Sequence, residues 1–419
     1  MTAPVKWIFS SMAGAPSMAN NSFGSMITVL DDVLVNGFNT KTVTSLTRTG
    51  DVVRAACTGH SYWLNQVVTI AGASPSDYNG EFRVTNIATD WFEYKISTTP
   101  GAATGTITAK TSQLGFVKEF SGTHKGVYRS PNVLGNRHYL RVDNGTHPGW
   151  VSGRQIQGKV SFGPSMSDVD TFTAQFAPYT LSAIPDWGWF KWHQSHNSGN
   201  GQTSANNVSG ATYVIVGDDR AFYFLVSCAG SFWARRVYGF GDFKSFKPAD
   251  VNNVFLWATD NWNEGNIASD VCAGGNCGPG SGAYNHRNTP WSGEIIYKAY
   301  TGIGSHVTAP KFSLSPSYDT ASGLRSGYHV GLSFPNGPNQ SIQLSPSYVW
   351  ENRAHNRGVF PGIFFIGNNM NNPDNDGAIM SNVTGYPDRL FIVLSCADMA
   401  ATNLSYSRLA FDITGPWEY

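Results

Sequence analysis

The sequence predicts a mainly β, multidomain protein built from β-sandwich or barrel-like domains, with one short N-terminal helix and a small inserted β module. Three observations lead to this class. The composition is rich in turn formers and aromatics, with 45 Gly, 21 Pro and 13% Phe, Trp and Tyr, which suits short strands joined by many turns. Apolar runs are short and bounded by Gly, Asn, Ser and Asp rather than repeating at helical spacing over long windows. The chain has 419 residues, enough to bury roughly three quarters of its unfolded surface and to form about three domains.

The first element is the apolar stretch Trp7-Ile8-Phe9 behind Lys6. It is too short for the core of an export signal, and Ser10 and Ser11 interrupt it. No run of eighteen apolar residues occurs, so no membrane-spanning helix is expected and the protein is read as soluble. The predicted helix follows. Ser22 or Ser25 is its candidate cap, Met26, Val29, Leu30, Val33 and Leu34 recur at three- and four-residue steps, Asp31 and Asp32 lie on the polar side, and Asn36-Gly37 ends it.

Residues 42 to 111 read as a complete small β module inserted into an N-terminal domain made of residues 1–41 plus 112–150. Val67, Val68 and Ile70 form one strand, Asn79-Gly80 is suited to a tight hairpin, and Phe82, Val84, Trp91, Phe92, Tyr94, Ile96 and Ile107 mark the following strands. A boundary rich in Gly, Pro and Thr near residues 145–153 opens a central β-sandwich domain at 151–260. Its best element is a hairpin in which Tyr213–Val216 and Ala221–Val226 flank Gly217-Asp218-Asp219-Arg220. Both arms are nearly continuous apolar runs, the pattern of strands covered on both faces. A C-terminal β domain, 261–419, begins with a long Asn- and Gly-rich stretch at 261–290 and carries strand candidates at 363–366 and 390–394.

Charge and cysteine content exclude several classes of function. Lys plus Arg and Asp plus Glu number 28 each, and no basic block appears, so nucleic acid is not an expected partner. The five cysteines are not a disulfide framework of the kind small secreted domains use. Cys57, Cys228 and Cys396 sit in apolar strand-like surroundings and read as buried small hydrophobes. Cys272 and Cys277 flank a Gly-Gly turn and are open to three readings: free thiols, a small disulfide loop, or zinc, which would need two further ligands.

The segment Trp187-Gly188-Trp189-Phe190-Lys191-Trp192-His193-Gln194-Ser195-His196 gathers three indoles and two imidazoles. Exposed indole faces stack on sugar rings, so Trp187, Trp189, Trp192, His193 and His196 form a candidate glycan-binding set. The competing reading is a strand whose indoles lie in the core or at a subunit contact. His193 and His196 alone make a poor metal site. Asn372-Pro373-Asp374-Asn375-Asp376-Gly377 resembles the start of a calcium loop, but Val383 stands where a bidentate Glu is required, which favours a surface turn. Glu264, Glu294 and Glu351, with Asp319, Asp374 and Asp376, are the conceivable acids of a glycosidase, although nothing in the sequence pairs them. No nucleophile elbow, His-Glu-x-x-His helix or phosphate-binding loop occurs. No cofactor, no metal and no enzymatic activity are therefore expected.

Ala56-Cys57-Thr58-Gly59-His60, the run from Val67 to Phe82, and Gly105-Thr106-Ile107-Thr108-Ala109 together resemble a module that recurs in virion proteins of tailed bacteriophages and prophages. Similarity continues through Trp7–Pro16, Val35–Phe38, Tyr128–Ser130, Tyr139–Asp143, Met166–Asp170 and Phe240–Phe246, then thins to Phe360-Pro361-Gly362 and Pro416–Tyr419. On these motifs the chain resembles a family of phage tail proteins. That resemblance implies a structural role in the tail, at the baseplate, tail tip or fibre-attachment region, reached by assembly in the host cytoplasm. It implies other virion tail proteins as partners and a homo-oligomer, with a trimer favoured. An alternative from another class is a receptor-binding tail protein that recognises host surface glycan. Glycan hydrolysis is the third.

Overall fold

A computed structural model describes residues 4–19, 22–145, 157–174, 190–194, 211–227, 235–258, 294–303, 307–308, 344–351, 355–366, 376–395 and 408–419. The protein is mainly β, with several sheets and, among the described residues, one short helix. A seven-stranded antiparallel sheet forms its centre. Its order is Lys6–Phe9, Tyr213–Gly217, Ala221–Ser227, Arg235–Asp242, Val254–Ala258, Glu294–Tyr297 and Val307–Thr308.

The apolar runs of the expected hairpin are explained by a sheet on each face. Phe222, Phe224, Tyr238 and Phe240 point to one side, where they meet Trp192, Phe116 and Phe162. Trp192 and Phe162 belong to a five-stranded sheet of Val117–Gly122, Lys125–Arg129, Tyr139–Asp143, Gln157–Gly163 and Phe190–His193. Tyr223, Phe255 and Trp257 point to the other side, onto Phe360, Phe411 and Trp417. These come from, or directly follow, a sheet of Lys244–Ser245, Leu344–Glu351, His355–Ile366, Ile379–Met380, Phe391–Ser395 and Arg408–Asp412. With side chains alternating across a strand, every residue of Ala221–Ser227 is buried. One core runs from Val5 to Trp417 through all three layers. Described residues on both sides of residue 260, where the sequence places the boundary between its central and C-terminal domains, contribute to this core.

The small module has a core of its own, centred on Val53, Val68, Ile70, Tyr78, Val84, Phe92 and Tyr94. Two four-stranded sheets enclose it: Phe38–Val43, Ile107–Thr111, Val67–Ala71 and Gly80–Arg83 in one, and Ser45–Thr49, Val52–Ala56, Trp91–Lys95 and Asn86–Ala88 in the other. Entry and exit strands lie side by side, with Val43 opposite Ile107. Asn79-Gly80 is not the tip of a tight hairpin. Residues 72–79 form a longer connection with a 3-10 turn at Ser76–Tyr78. Asn79 closes it by accepting from the Ala73 N–H and donating to the Ala73 carbonyl.

The helix also departs from its local reading. It runs as an α-helix over Ser25–Leu30 and widens to a π-helix over Asp31–Asn36, ending at Gly37 as expected. Neither Ser22 nor Ser25 caps it. Gly24 occupies the cap position, and the Asn144 side-chain oxygen accepts from the Gly24 and Met26 N–H groups at 2.8 and 3.2 Å. Asn144 in turn donates to Gln194 at 2.7 Å, and Gln194 donates to the Ala19 and Ser22 carbonyls. The Gly24 and Met26 donors at the helix start are thus satisfied from across the fold. Lys6 is buried: its ammonium pairs with Glu81 at 2.8 Å and donates to the Leu114 carbonyl.

Candidate functional site

The registers fix which loops share an end of the central sheet. Gly217 pairs with Phe222, Ala221 with Gly241, Asp242 with Val254 and Phe255 with Tyr297. The turn 218–220, the connection 243–253 and the turn 298–303 therefore leave the sheet together. Strand ends that border residues 195–210, 228–234 and 259–293 fall at the other end.

At the first end, three anchored loops hold apolar side chains out of the core. Val133 and Leu134 are 79% and 80% exposed, Ile303 79%, Val251 68% and Phe246 50%, with Tyr300 partly exposed beside them. Such placement is unfavourable in isolation, because each side chain forgoes roughly 1.5–3 kcal/mol of burial. The loops do not collapse because polar bonds beneath them fix their shape. Arg357, wholly buried, grips Asp250 with two bonds of 2.9 Å and donates a third to the Lys298 carbonyl, tying the 243–253 connection to the 298–303 turn. Such a planar fork on a carboxylate is directional as well as strong. The Tyr300 hydroxyl donates to the Pro248 carbonyl at 3.0 Å, joining the same two loops.

The third loop, residues 131–137, is pinned by its asparagines. Asn132 accepts from the Leu134 N–H and donates to Asp219, while Asn136 donates to Asp242 and, at 2.7 Å, to Asn253. Gly135 sits so close to the Asp242 carboxylate that a Cβ there would collide with it. The same carboxylate takes two bonds from Arg220, whose guanidinium lies 3.9 Å from the Tyr419 ring centre. Asp218 accepts from the Tyr419 hydroxyl at 2.6 Å and from the Arg220 and Ala221 N–H groups. Burial pushes Asp218 up to about 6 and also raises Asp242, which the Arg220 guanidinium partly offsets. Burial pushes His138, next to this loop, down to about 4.

The glycan set is not assembled among the described residues. Trp192 is fully buried, donates its indole N–H to the Trp257 carbonyl at 2.9 Å and packs on Phe222, Phe224 and Tyr238. Its face is therefore closed to a sugar, and the core-strand reading holds at this position. His193 lies on the strand Phe190–His193, opposite Gln157. Trp187, Trp189 and His196 lie outside the described residues, as do Cys228, Cys272, Cys277, Cys396, Glu264, Asp319, Asp374 and the stretch 261–290. Glu294 and Glu351 are described only as strand positions. Cys57 is buried, and burial raises its thiol. The Asp376 carboxylate is held by Arg235 at 2.6 and 2.8 Å and accepts from the Ser395 N–H, so it supports an interlayer ion pair. No group of metal-ligating side chains occurs among the described residues. No helix among them is long and apolar enough to cross a membrane.

The sequence reading did not select the anchored loops. The available signal was Ser130-Pro131-Asn132-Val133-Leu134-Gly135-Asn136, two apolar residues framed by turn formers and asparagines that tie them down. No protein-family model matches the chain, and no curated protein matches it.

Proposed function

We propose that this chain is a structural component of a bacteriophage tail, at the baseplate, tail tip or fibre-attachment region, and that it works by subunit assembly rather than catalysis. The observation that carries the assembly role is the platform of Val133, Leu134, Phe246, Val251, Tyr300 and Ile303, held on loops fixed by Arg357, Asp250, Asn132 and Asn136. Apolar side chains grouped at one end mark an interaction site. Loops already fixed in shape lose little conformational freedom when a partner covers them. The tail assignment is supported by the motif resemblance that begins at Trp7 and is densest between Ala56 and Ala109.

The test is Leu134→Glu combined with Ile303→Glu in the intact phage genome. Both side chains are about four-fifths exposed, so the fold should be retained. The expected outcome is normal soluble accumulation of the chain with its loss from purified particles. Particles that incorporate the double variant at the normal level and remain infectious would overturn the assembly role of the platform.

A further inference from the structure

Three Asn-Gly pairs lie among the described residues, at Asn36-Gly37, Asn79-Gly80 and Asn144-Gly145. In such a pair the backbone nitrogen of the glycine can attack the side-chain amide carbon of the asparagine, because no Cβ on the glycine crowds the approach. Ring closure needs a side chain that is free to turn and a backbone nitrogen that gives up its proton. Two of the pairs are held against it. Asn79 accepts from the Ala73 N–H at 2.9 Å and donates to the Ala73 carbonyl at 2.7 Å. Asn144 accepts from the Gly24 and Met26 N–H groups and donates to Gln194, while the Gly145 N–H donates to the Asp143 carboxylate at 3.0 Å.

The third pair is different. Asn36 is exposed, and its amide reaches the Asp32 carboxylate only at 3.4 Å, long for a hydrogen bond. The Gly37 N–H donates to the Asp32 carbonyl at 2.7 Å and closes the last turn of the π-helix, a position where opening costs least. The Lys110 ammonium donates to the Asn36 carbonyl, and its aliphatic stem lies against Gly37. That carbonyl belongs to the same peptide group as the attacking nitrogen. When the nitrogen loses its proton, resonance spreads the negative charge onto the Asn36 oxygen. A cation already bonded to that oxygen stabilises the charge as it forms.

We propose that Asn36-Gly37 is a site of spontaneous covalent modification, promoted by Lys110. Hydroxide takes the proton of the Gly37 N–H, and the nitrogen bonds to the Asn36 side-chain carbon. The side-chain nitrogen takes a proton from water and leaves as ammonia, which restores the hydroxide and leaves a five-membered succinimide. Water then adds to either ring carbonyl and breaks its bond to nitrogen, giving an aspartyl or an isoaspartyl residue at position 36. Nothing is oxidised or reduced. Either product sets a carboxylate near Asp32 and Lys110 in place of the amide. The isoaspartyl form also lengthens the backbone by one atom at the entry to the module, next to the pairing of Phe38 with Thr111.

The experiment is incubation of the purified full chain at mildly alkaline pH, with peptide mapping by mass spectrometry at intervals. The peptide that carries residue 36 should become heavier by the exchange of NH2 for OH. Because two or more side-chain bonds must break first at Asn79 and at Asn144, conversion at Asn36 should be roughly tenfold or more faster than at either. Lys110→Met should slow conversion at Asn36 severalfold and leave the rates at Asn79 and Asn144 unchanged, while Lys110→Arg, which keeps the cation, should restore it. Asn36→Gln, which disfavours the five-membered ring, should abolish the change. The unaltered rates at the other two pairs, with circular dichroism, report that each variant is folded. Conversion at Asn36 no faster than at Asn79 or Asn144 would overturn the proposal, as would a Lys110→Met chain that converts at the parental rate or faster.

Discussion

Asp218 and His138 are both buried, and burial acts on them in opposite directions. Asp218 rises from 3.8 to about 6, so between those values the folded chain holds a proton that the unfolded chain has released. Its contribution to stability is complete below about pH 4 and is lost as the pH rises through 6. His138 falls from 6.5 to about 4, so its contribution is complete above 6.5 and is lost as the pH falls through 4. The two slopes oppose one another in the same window, and the parent's own pH curve hides both. Asp218→Asn keeps an acceptor for Tyr419 and the two backbone N–H groups but cannot ionise. Relative to the parent it should gain stability on going from pH 4 to 7, by about 3 kcal/mol at most. Urea unfolding at several pH values checks this, and a difference that does not change with pH would show that Asp218 ionises in the fold as it does in water.

At the scale of elements, the helix shows where local reading holds and where it fails. Its apolar spacing and its Gly37 stop are properties of neighbouring residues, and both were legible in the sequence. Its cap is not, because Asn144 lies 120 residues from Gly24. The same division runs through the strands. The hairpin Tyr213–Gly217 with Ala221–Ser227 declares itself by two apolar arms around a polar turn. The partner on its outer side, Lys6–Phe9, pairs across more than 200 residues, and nothing in its four residues names it. Trp192 was legible as an aromatic strand position, whereas its burial depends on a strand more than 60 residues away. Exposure of Val133 and Leu134 was illegible for the same reason: sequence records that they are apolar, and only the anchors to Asp219, Asp242 and Asn253 keep them out of the core. The remote cap yields a test. Asn144→Ala leaves two N–H groups and the buried Gln194 without that partner, and should lower stability by about 2 kcal/mol in denaturant unfolding. A loss below a few tenths would mean that water replaces Asn144 and that the network does not set the helix start.

At the scale of the whole molecule, the large core and the module core differ in how they are closed. The large core draws on chain from Val5 to Trp417, so no short segment of it buries its own apolar surface. The module core draws only on residues 43–109, and its entry and exit strands pair with each other. What joins the two bodies is a set of polar bonds beside the packing of Trp63 on Phe9 and Trp7. Arg83 donates to the Val5, Ile413 and Thr414 carbonyls, Lys6 pairs with Glu81, and the Trp7 indole donates to the Asn65 carbonyl. These bonds set the module's position on the flank of the sheet and contribute little of the burial that stabilises it. Residues 38–112 produced alone should therefore fold, with a cooperative thermal transition and dispersed amide resonances, even though a domain of this size is close to the lower limit for a single core. Arg83→Ala in the full chain should leave that transition in place and weaken only the attachment, seen as a module that melts separately from the three-layered body. A fragment that stays unfolded would mean that the module's core is completed by Phe9 and Trp7, and that the two bodies fold as one.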